Sequence, residues 1–378
     1  MSRHLLPPLR RILFQHQHSS SAALPTLSHI LPKRHVSTTT TPPPPKPSAL
    51  SAANASSILL SRFQGKTRTE TQLLDGNQLR KLSLTLGRRS LSLRPDDADV
   101  DVSLRPPPDG TPLPPGYHLV YFTPGDVEED MGADGSDTTF NAPAPFTRRM
   151  WAGGRMRWFG EGEGGREGGR ELRVGDEVEE RTRLVKAVPK RSRDGNEMVL
   201  VEVAKEFWGP RGLALVDERS WIFRPEATAA SPAAETKLRD AVIRGPSTMM
   251  DVWEDGAPYP HRQLRWSPMG LFRFSALTFN GPKIHYDPTW SAVVEGHPSC
   301  VVHGPLNLIC MLDYWRDFCA GKGRRAREIS YRAVAPVYAG ETYEILTEGG
   351  KEEGDGVRWE VLVRKGGQVC MTGNILAV

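Results

Sequence analysis

Apolar positions change period several times along the chain. Between residues 49 and 86, Leu59, Leu60, Phe63, Leu73, Leu74, Leu79, Leu82 and Leu84 alternate with polar residues at spacings that predict helix. Residues 93–117 are rich in proline and aspartate and read as loop. A period of two then predicts strand near Tyr117–Phe122, Arg183–Val188, Met198–Ala204 and Ala214–Phe223. Turn chemistry at Asp194-Gly195 and across Pro210–Gly212 joins the later runs as antiparallel hairpins. Residues 225–247 are Ala-, Pro- and charge-rich and read as a connector.

Beyond the connector one helix stands out. Pro305 suits a first helical position, and Leu308, Met311, Leu312, Trp315, Phe318 and Cys319 follow at three- and four-residue steps. Gly321 suits its C-terminal cap.

A faint repeat crosses the connector. Val174-Gly175-Asp176-Glu177-Val178 with Asp194-Gly195 has a second copy in Ala339-Gly340-Glu341-Thr342-Tyr343 with Asp355-Gly356. Two copies of one β-rich unit imply two curled antiparallel sheets in an α+β chain, only the second copy having a long helix for its sheet to wrap. The expected organisation is a leader over 1–36, a linker and helical extension over 37–116, a degenerate first half over 117–224, the connector, and a catalytic second half over 248–378.

Charge changes the picture at the N-terminus. The first acidic residue is Glu70, whereas Arg3, Arg10, Arg11, Lys33 and Arg34 precede it. An acid-poor, arginine-bearing, Ser- and Leu-rich leader is of the mitochondrial presequence type and predicts a matrix protein. Removing residues 1–36 takes five positive charges away, so the formal net charge of +4 becomes −1. No basic surface calling for nucleic acid remains. No apolar run is long enough to span a membrane. Cys300, Cys310, Cys319 and Cys370 lack C-x-x-C spacing and read as reduced packing residues.

Chemistry concentrates in Phe274-Ser275-Ala276-Leu277-Thr278-Phe279-Asn280-Gly281-Pro282-Lys283-Ile284-His285-Tyr286-Asp287 and in Val301-Val302-His303-Gly304-Pro305-Leu306. A β pattern breaks at Thr278–Gly281, which leaves Asn280 and His285 on a short loop, where working side chains are common. A helix N-terminus follows, with Gly304 at its mouth. The set offers a proton carrier, a polar positioner and an oxyanion stabiliser. Asp287 reads as a cap for the following turn, with assistance to His285 as the alternative. Other signals are weaker. Gly160–Gly165 matches G-x-G-x-x-G literally, but no apolar helix follows and two glutamates would repel a pyrophosphate. Cys300-x-x-His303 lacks a second pair of ligands, so no metal is expected.

The first segment resembles the active-site pattern of the hydratase-2, MaoC-like hot-dog enzymes, roughly F-S-G-D-x-N-P-I-H. It is more similar to the mitochondrial 3-hydroxyacyl-thioester dehydratase branch, with its S-A-L-T-F-N-G-x-x-I-H-Y-D. The resemblance implies a double hot-dog fold and reversible dehydration of (3R)-hydroxyacyl thioesters to trans-2-enoyl thioesters without metal, nucleotide or redox cofactor. It implies catalysis by Asn280, His285 and Gly304, with His303 and Phe279 shaping the substrate site. Position 280 holds Asn where the wider pattern has Asp, so His285 would carry more of the proton traffic. The cluster Lys322, Arg324, Arg325 and Arg327 reads as a solvated face. Its alternative is contact with a pantetheine phosphate or an acidic carrier protein, and Arg324 is the substrate-binding candidate there. Acyl carrier protein and CoA thioesters are the implied partners, and a homodimer is compatible. Rival readings are a hydratase of short branched or dicarboxylic acyl-CoA, with Arg148, Arg149 or Arg155 as pocket arginine, and a non-catalytic acyl-binding subunit. A thioesterase fits less well, because Asp313 stands more than a turn past the helix start.

Overall fold

The computed structural model describes residues 50–91, 100–160, 169–225, 243–321 and 323–378. The leader, the Thr/Pro linker and most of the glycine-rich insertion and of the connector lie outside them.

The strands of the main sheet, in chain order, are β1 (Thr67–Leu73), β4 (Arg148–Trp158), β5 (Glu177–Arg191), β6 (Glu197–Gly209), β7 (Gly212–Arg224), β8 (Thr248–Val252), β9 (His261–Arg265), β10 (Ala326–Ala333), β11 (Thr342–Glu353), β12 (Gly356–Lys365) and β13 (Gln368–Ala377). The two short strands β2 (Ser90–Leu91) and β3 (Val100–Asp101) pair separately. Eleven strands form one antiparallel sheet in the order β1-β5-β6-β7-β4-β10-β13-β12-β11-β9-β8. Apart from β8 the order is palindromic. A meander, β5-β6-β7 or β11-β12-β13, is flanked inward by the strand that precedes it and outward by β1 or β9. The halves meet where β4 pairs with β10, from Glu328 opposite Arg157 to Arg332 opposite Gly153. This is the α+β double hot dog expected from the sequence.

The repeat has a physical basis. Gly175 and Gly340 take φ of +86° and +84°, and each turns the chain into the first strand of its meander. Only glycine adopts that conformation without strain.

Among the described residues four helices accompany the sheet: α1 (Ala52–Phe63), α2 (Gly76–Thr85), α3 (Pro268–Leu277) and α4 (Gly304–Phe318). Helix α4 is buried on every side from Leu306 to Arg316, as expected of a helix wrapped by a sheet. It caps at Cys319, and left-handed Gly321 follows two residues later. In the first half the corresponding stretch before the seam strand holds two 3-10 turns, an exposed one at Glu128–Asp130 and a buried one at Tyr117–Val120. That turn packs on α4, since a Cβ on Gly116 would come within 2.8 Å of Leu312.

Several sequence expectations need correction. Tyr117–Phe122 is this buried turn and not a strand; an apolar run buried on all sides reads alike in either conformation. The helical reading of 49–86 is interrupted by Gly65, with φ of +72°, and by β1, whose alternating threonines pair with β5. Seam strand β4 was not foreseen, because Gly153 and Gly154 make Trp151–Arg155 look like loop. Both glycines are sterically required there, as a Cβ on either would overlap Tyr331 across the seam.

Candidate active site

Ser267 starts α3 by accepting from the Gly270 N–H at 3.1 Å, and Pro268 follows at the first helical turn. The stretch before Thr278 is therefore helical, not the β pattern read from the sequence. Ser275 lies near the end of α3, and the catalytic-loop candidates follow directly. Phe279 takes φ of +44°, an uncommon conformation for a bulky residue. Its ring is 63% exposed, so it lies outside the cluster that the neighbouring residues form.

His285 belongs to a short 3-10 turn, Lys283–His285. Its Nδ1 is 2.8 Å from the Val301 carbonyl oxygen, which can only accept. The proton therefore sits on Nδ1, and Nε2 carries a lone pair. The ring stacks on His303 with centroids 3.6 Å apart and planes inclined by 20°. His303 is buried, its Nε2 lies 2.9 Å from Ser275 Oγ, and the edge of Phe274 packs against it at 4.8 Å. Burial lowers the His285 pKa to about 4, although the Val301 carbonyl and Asp134 act in the opposite sense. Burial, reinforced by His285, holds His303 well below the usual range. Both rings are neutral at physiological pH, and His285 presents a base that is already deprotonated.

Gly304 opens α4 immediately after His303, and its N–H has no partner among the described residues. A Cβ there would overlap the Trp151 indole, which itself stacks on Tyr331 at 4.8 Å. The space beside this glycine is thus filled by a side chain of the first half.

Asn280 is engaged from the same half. Its Nδ2 donates to Asp137 Oδ2 at 3.0 Å, and its Oδ1 accepts from the Asp137 main-chain N–H at 3.2 Å. Arg149 donates to the same carboxylate at 2.6 Å and lies over the Trp221 ring at 5.1 Å. Despite burial, Arg149 and the hydrogen bond from Asn280 hold the Asp137 pKa below the ordinary carboxylate range. Asp287 accepts from the Trp290 N–H at 2.9 Å and so caps the following turn.

The other arginines divide. Arg148 pairs with Glu295 beside the site, whereas Arg155 pairs with Glu328 on an exposed part of the seam. Arg324 is exposed beyond the far end of α4, about 20 Å from Gly304 by helical rise. It borders a cavity of about 850 Å³ there, and a cavity of about 1220 Å³ also borders the last turns of the helix. Asp313 is fully buried, hydrogen-bonded by Tyr117 at 3.0 Å and paired with Arg88 and Arg316. The structure thus gathers Asn280, His285, His303 and Gly304 at one end of α4 and leaves Arg324 at the other. The sequence did not single out Asp137, Trp151 and Ser275. Only Ser275 carried a signal, since it stands within the motif.

Comparison with known proteins gives consistent likenesses. The profile of the family described as hydroxyacyl-thioester dehydratase type 2 matches residues 116–339. Mesaconyl-C(4)-CoA hydratase of Chloroflexus aurantiacus is 28% identical over 242 residues, which is 61% of this chain and 75% of that protein. The mitochondrial hydroxyacyl-thioester dehydratase type 2 of Schizosaccharomyces pombe is 23% identical over 249 residues, covering 62% of this chain and 77% of its own. A MaoC-like dehydratase of Phytophthora capsici shares the fold, with a TM-score of 0.52 at 16% identity over 85% of this chain and 98% of its own.

Proposed function

Since the chain belongs to the hydroxyacyl-thioester dehydratase type 2 family, we propose that it reversibly dehydrates (3R)-hydroxyacyl thioesters to trans-2-enoyl thioesters in mitochondrial fatty-acid synthesis. The observation that carries this reading is a neutral His285, Nδ1 tied to the Val301 carbonyl and Nε2 unprotonated, beside the N-terminus of α4.

In the hydration direction, Nε2 takes a proton from water as the water oxygen bonds to C3 of the enoyl group. Electron density moves to the thioester carbonyl oxygen, where the Gly304 N–H and the positive end of the helix dipole stabilise it. The imidazolium then returns its proton to C2, so the net change is addition of water. Dehydration runs the same steps in reverse. The second proton on Asn280 Nδ2 and the second lone pair on Oδ1 orient the water or the leaving hydroxyl, while His303 supports the His285 ring from its face. The first half would close the acyl site, and a leader over residues 1–36 would direct the protein to the matrix. The acyl group would arrive on acyl carrier protein or on CoA.

A hydratase of dicarboxylic acyl-CoA is the second reading, favoured by the likeness to a mesaconyl-C(4)-CoA hydratase and by two arginines near the loop. Those arginines already hold carboxylates of this chain, Arg148 on Glu295 and Arg149 on Asp137. This favours an uncharged acyl chain. Hydration of crotonyl-CoA and of a mesaconyl ester by the purified protein, followed by loss of enoyl-thioester absorbance, decides between them. Faster turnover of the crotonyl ester is expected; faster turnover of the mesaconyl ester would transfer the assignment, and no turnover of either would end it.

A further inference from the structure

The loop carrying Asn280 is docked on the first half by several main-chain contacts. Lys283 N–H donates to the Asp134 carbonyl at 2.7 Å, and Lys283 Nζ donates to the Ala133 carbonyl at 2.8 Å. Gly135 sits so close to Gly281 that a Cβ would come within 2.5 Å of its carbonyl oxygen. These contacts dock the two loops without the Asp137 side chain. Asp137 nevertheless makes two bonds of opposite sense to the amide of one residue, 143 positions away in sequence.

We propose that Asp137, supplied by the first half, is a positioning residue for the dehydratase reaction, fixing which end of the Asn280 amide faces the reacting oxygen. The inference rests on the hydratase reading above. An ionised carboxylate can only accept, so the Asn280 NH₂ must face Asp137 Oδ2. A main-chain N–H can only donate, so Oδ1 must face the Asp137 nitrogen. Flipping the amide would break both bonds and set like against like twice. What remains on Asn280, one N–H and one lone pair, then points in a single defined sense. Arg149 anchors the carboxylate and is itself held by Asn141 Oδ1 at 3.3 Å and by the Trp221 ring. Lys205 of β6 adds a further positive charge facing Asp137.

This arrangement makes Asn at 280 and Asp at 137 interdependent. Asn280→Asp alone would put two carboxylates where a 3.0 Å hydrogen bond now stands. One of them must then take a proton, with a raised pKa, and the pair repels once pH rises through that value. Exchanging both residues restores a donor–acceptor pair between positions 137 and 280, and the main-chain N–H still has an acceptor. Arg149 and Asn280 now share one oxygen, Asp137 Oδ2, so in the exchange the NH₂ of the amide at 137 turns to the carboxylate at 280 and the Arg149 guanidinium shifts to the amide oxygen.

The test is kcat and KM for crotonyl-CoA from pH 5 to 9, with urea midpoints as a check on folding. The variants are Asp137→Leu, Asn280→Asp and the exchange Asp137→Asn with Asn280→Asp. Asp137→Leu should lower kcat about tenfold to hundredfold, the scale of one charge-assisted hydrogen bond, with KM within about twofold. Asn280→Asp should lose activity increasingly as pH rises. The exchange should recover at least about tenfold over Asn280→Asp and lose that added pH dependence. Parental kcat in Asp137→Leu, or an exchange no better than Asn280→Asp alone, would overturn the proposal. Should Asp137→Leu not fold, the exchange decides by itself. A parent inactive on every ester would count against the hydratase reading, a separate failure visible before any variant is made.

Discussion

The two halves share one strand plan and differ in what lies against it. In the second half a fifteen-residue helix fills the sheet, and its N-terminus meets His285, His303 and Asn280. In the first half the same place in the chain holds the four-residue turn Tyr117–Val120, and among the described residues no loop there repeats the Thr278–His285 motif. Yet Trp151 lies over Gly304, and Asp137, anchored by Arg149, grips Asn280. On the proposed mechanism the second half supplies the groups that move protons and the first half those that aim them. A half without its own site need not be an inert scaffold, because a shared seam lets each half supply atoms to a site on the other.

The largest expected effect tests the chemical half of this division. His285→Ala removes the proposed base and should lower kcat by roughly 10²–10⁴-fold with KM little changed, since the helix terminus remains. Parental turnover in steady-state assays would mean that the second half does not carry the chemistry.

A smaller effect follows from the buried imidazoles. In the folded chain the His285 pKa is lowered to about 4, against the ordinary 6.5 of a histidine. Its folded pKa is depressed, so the unfolded chain binds the proton first, and the stability this group contributes is lost as pH falls from about 6.5 to about 4. The upper bound is about 3 kcal/mol, less what residual exposure screens away. His303 and His118 are shifted in the same direction. The aspartates that are lowered, Asp101, Asp137, Asp217 and Asp317, act mainly below about pH 5 and leave the upper part of this window clear. Urea midpoints between pH 4 and 7 should therefore fall toward acid, and less steeply in His285→Gln. An identical slope in the variant would show that His285 is not buried neutral. The acid limb of kcat/KM should likewise lie below pH 5.

What could be read in advance follows the same line between the halves. The meanders were legible because alternating residues and Asp-Gly turns are local, and α4 because its apolar residues recur at helical steps. His285, Asn280 and Gly304 were legible because one motif and one helix start carry them. The seam was hidden: β4 needs Gly153 and Gly154 to let Tyr331 pass, and glycine in a strand gives no periodic signal. Asp137 was hidden for a different reason, since only folding brings it to Asn280. Tyr117–Val120 misled because complete burial erases the polar face that distinguishes helix from strand.

The contact between Trp151 and Gly304 supplies a prediction about stability. A methyl group at 304 has no room beneath the indole, so Gly304→Ala should cost about 1–3 kcal/mol through overpacking at the seam. Shortening the opposing side chain in Gly304→Ala with Trp151→Leu should return part of that loss, a coupling that two independent sites would not show. Additive urea midpoints would mean that the first half does not roof the helix terminus.

The smallest expected effect concerns the far end of α4. Arg324 is exposed, makes no ion pair among the described residues and stands about 20 Å from Gly304. An exposed, unpaired cation contributes little to stability, and it is too distant to touch the reacting thioester. Arg324→Ala should therefore leave kcat unchanged and shift KM for crotonyl-CoA by no more than about twofold, the scale of a weakened surface charge. Its one route to a larger effect is contact with the phosphates of the carrier, which lie far from the thioester and on which the cavity beside Arg324 could act. An N-acetylcysteamine thioester has no such phosphates. A tenfold rise in KM for the CoA ester, with no change for the cysteamine ester, would place the carrier on this arginine. The substrate would then run the length of the helix from one end of the molecule to the other.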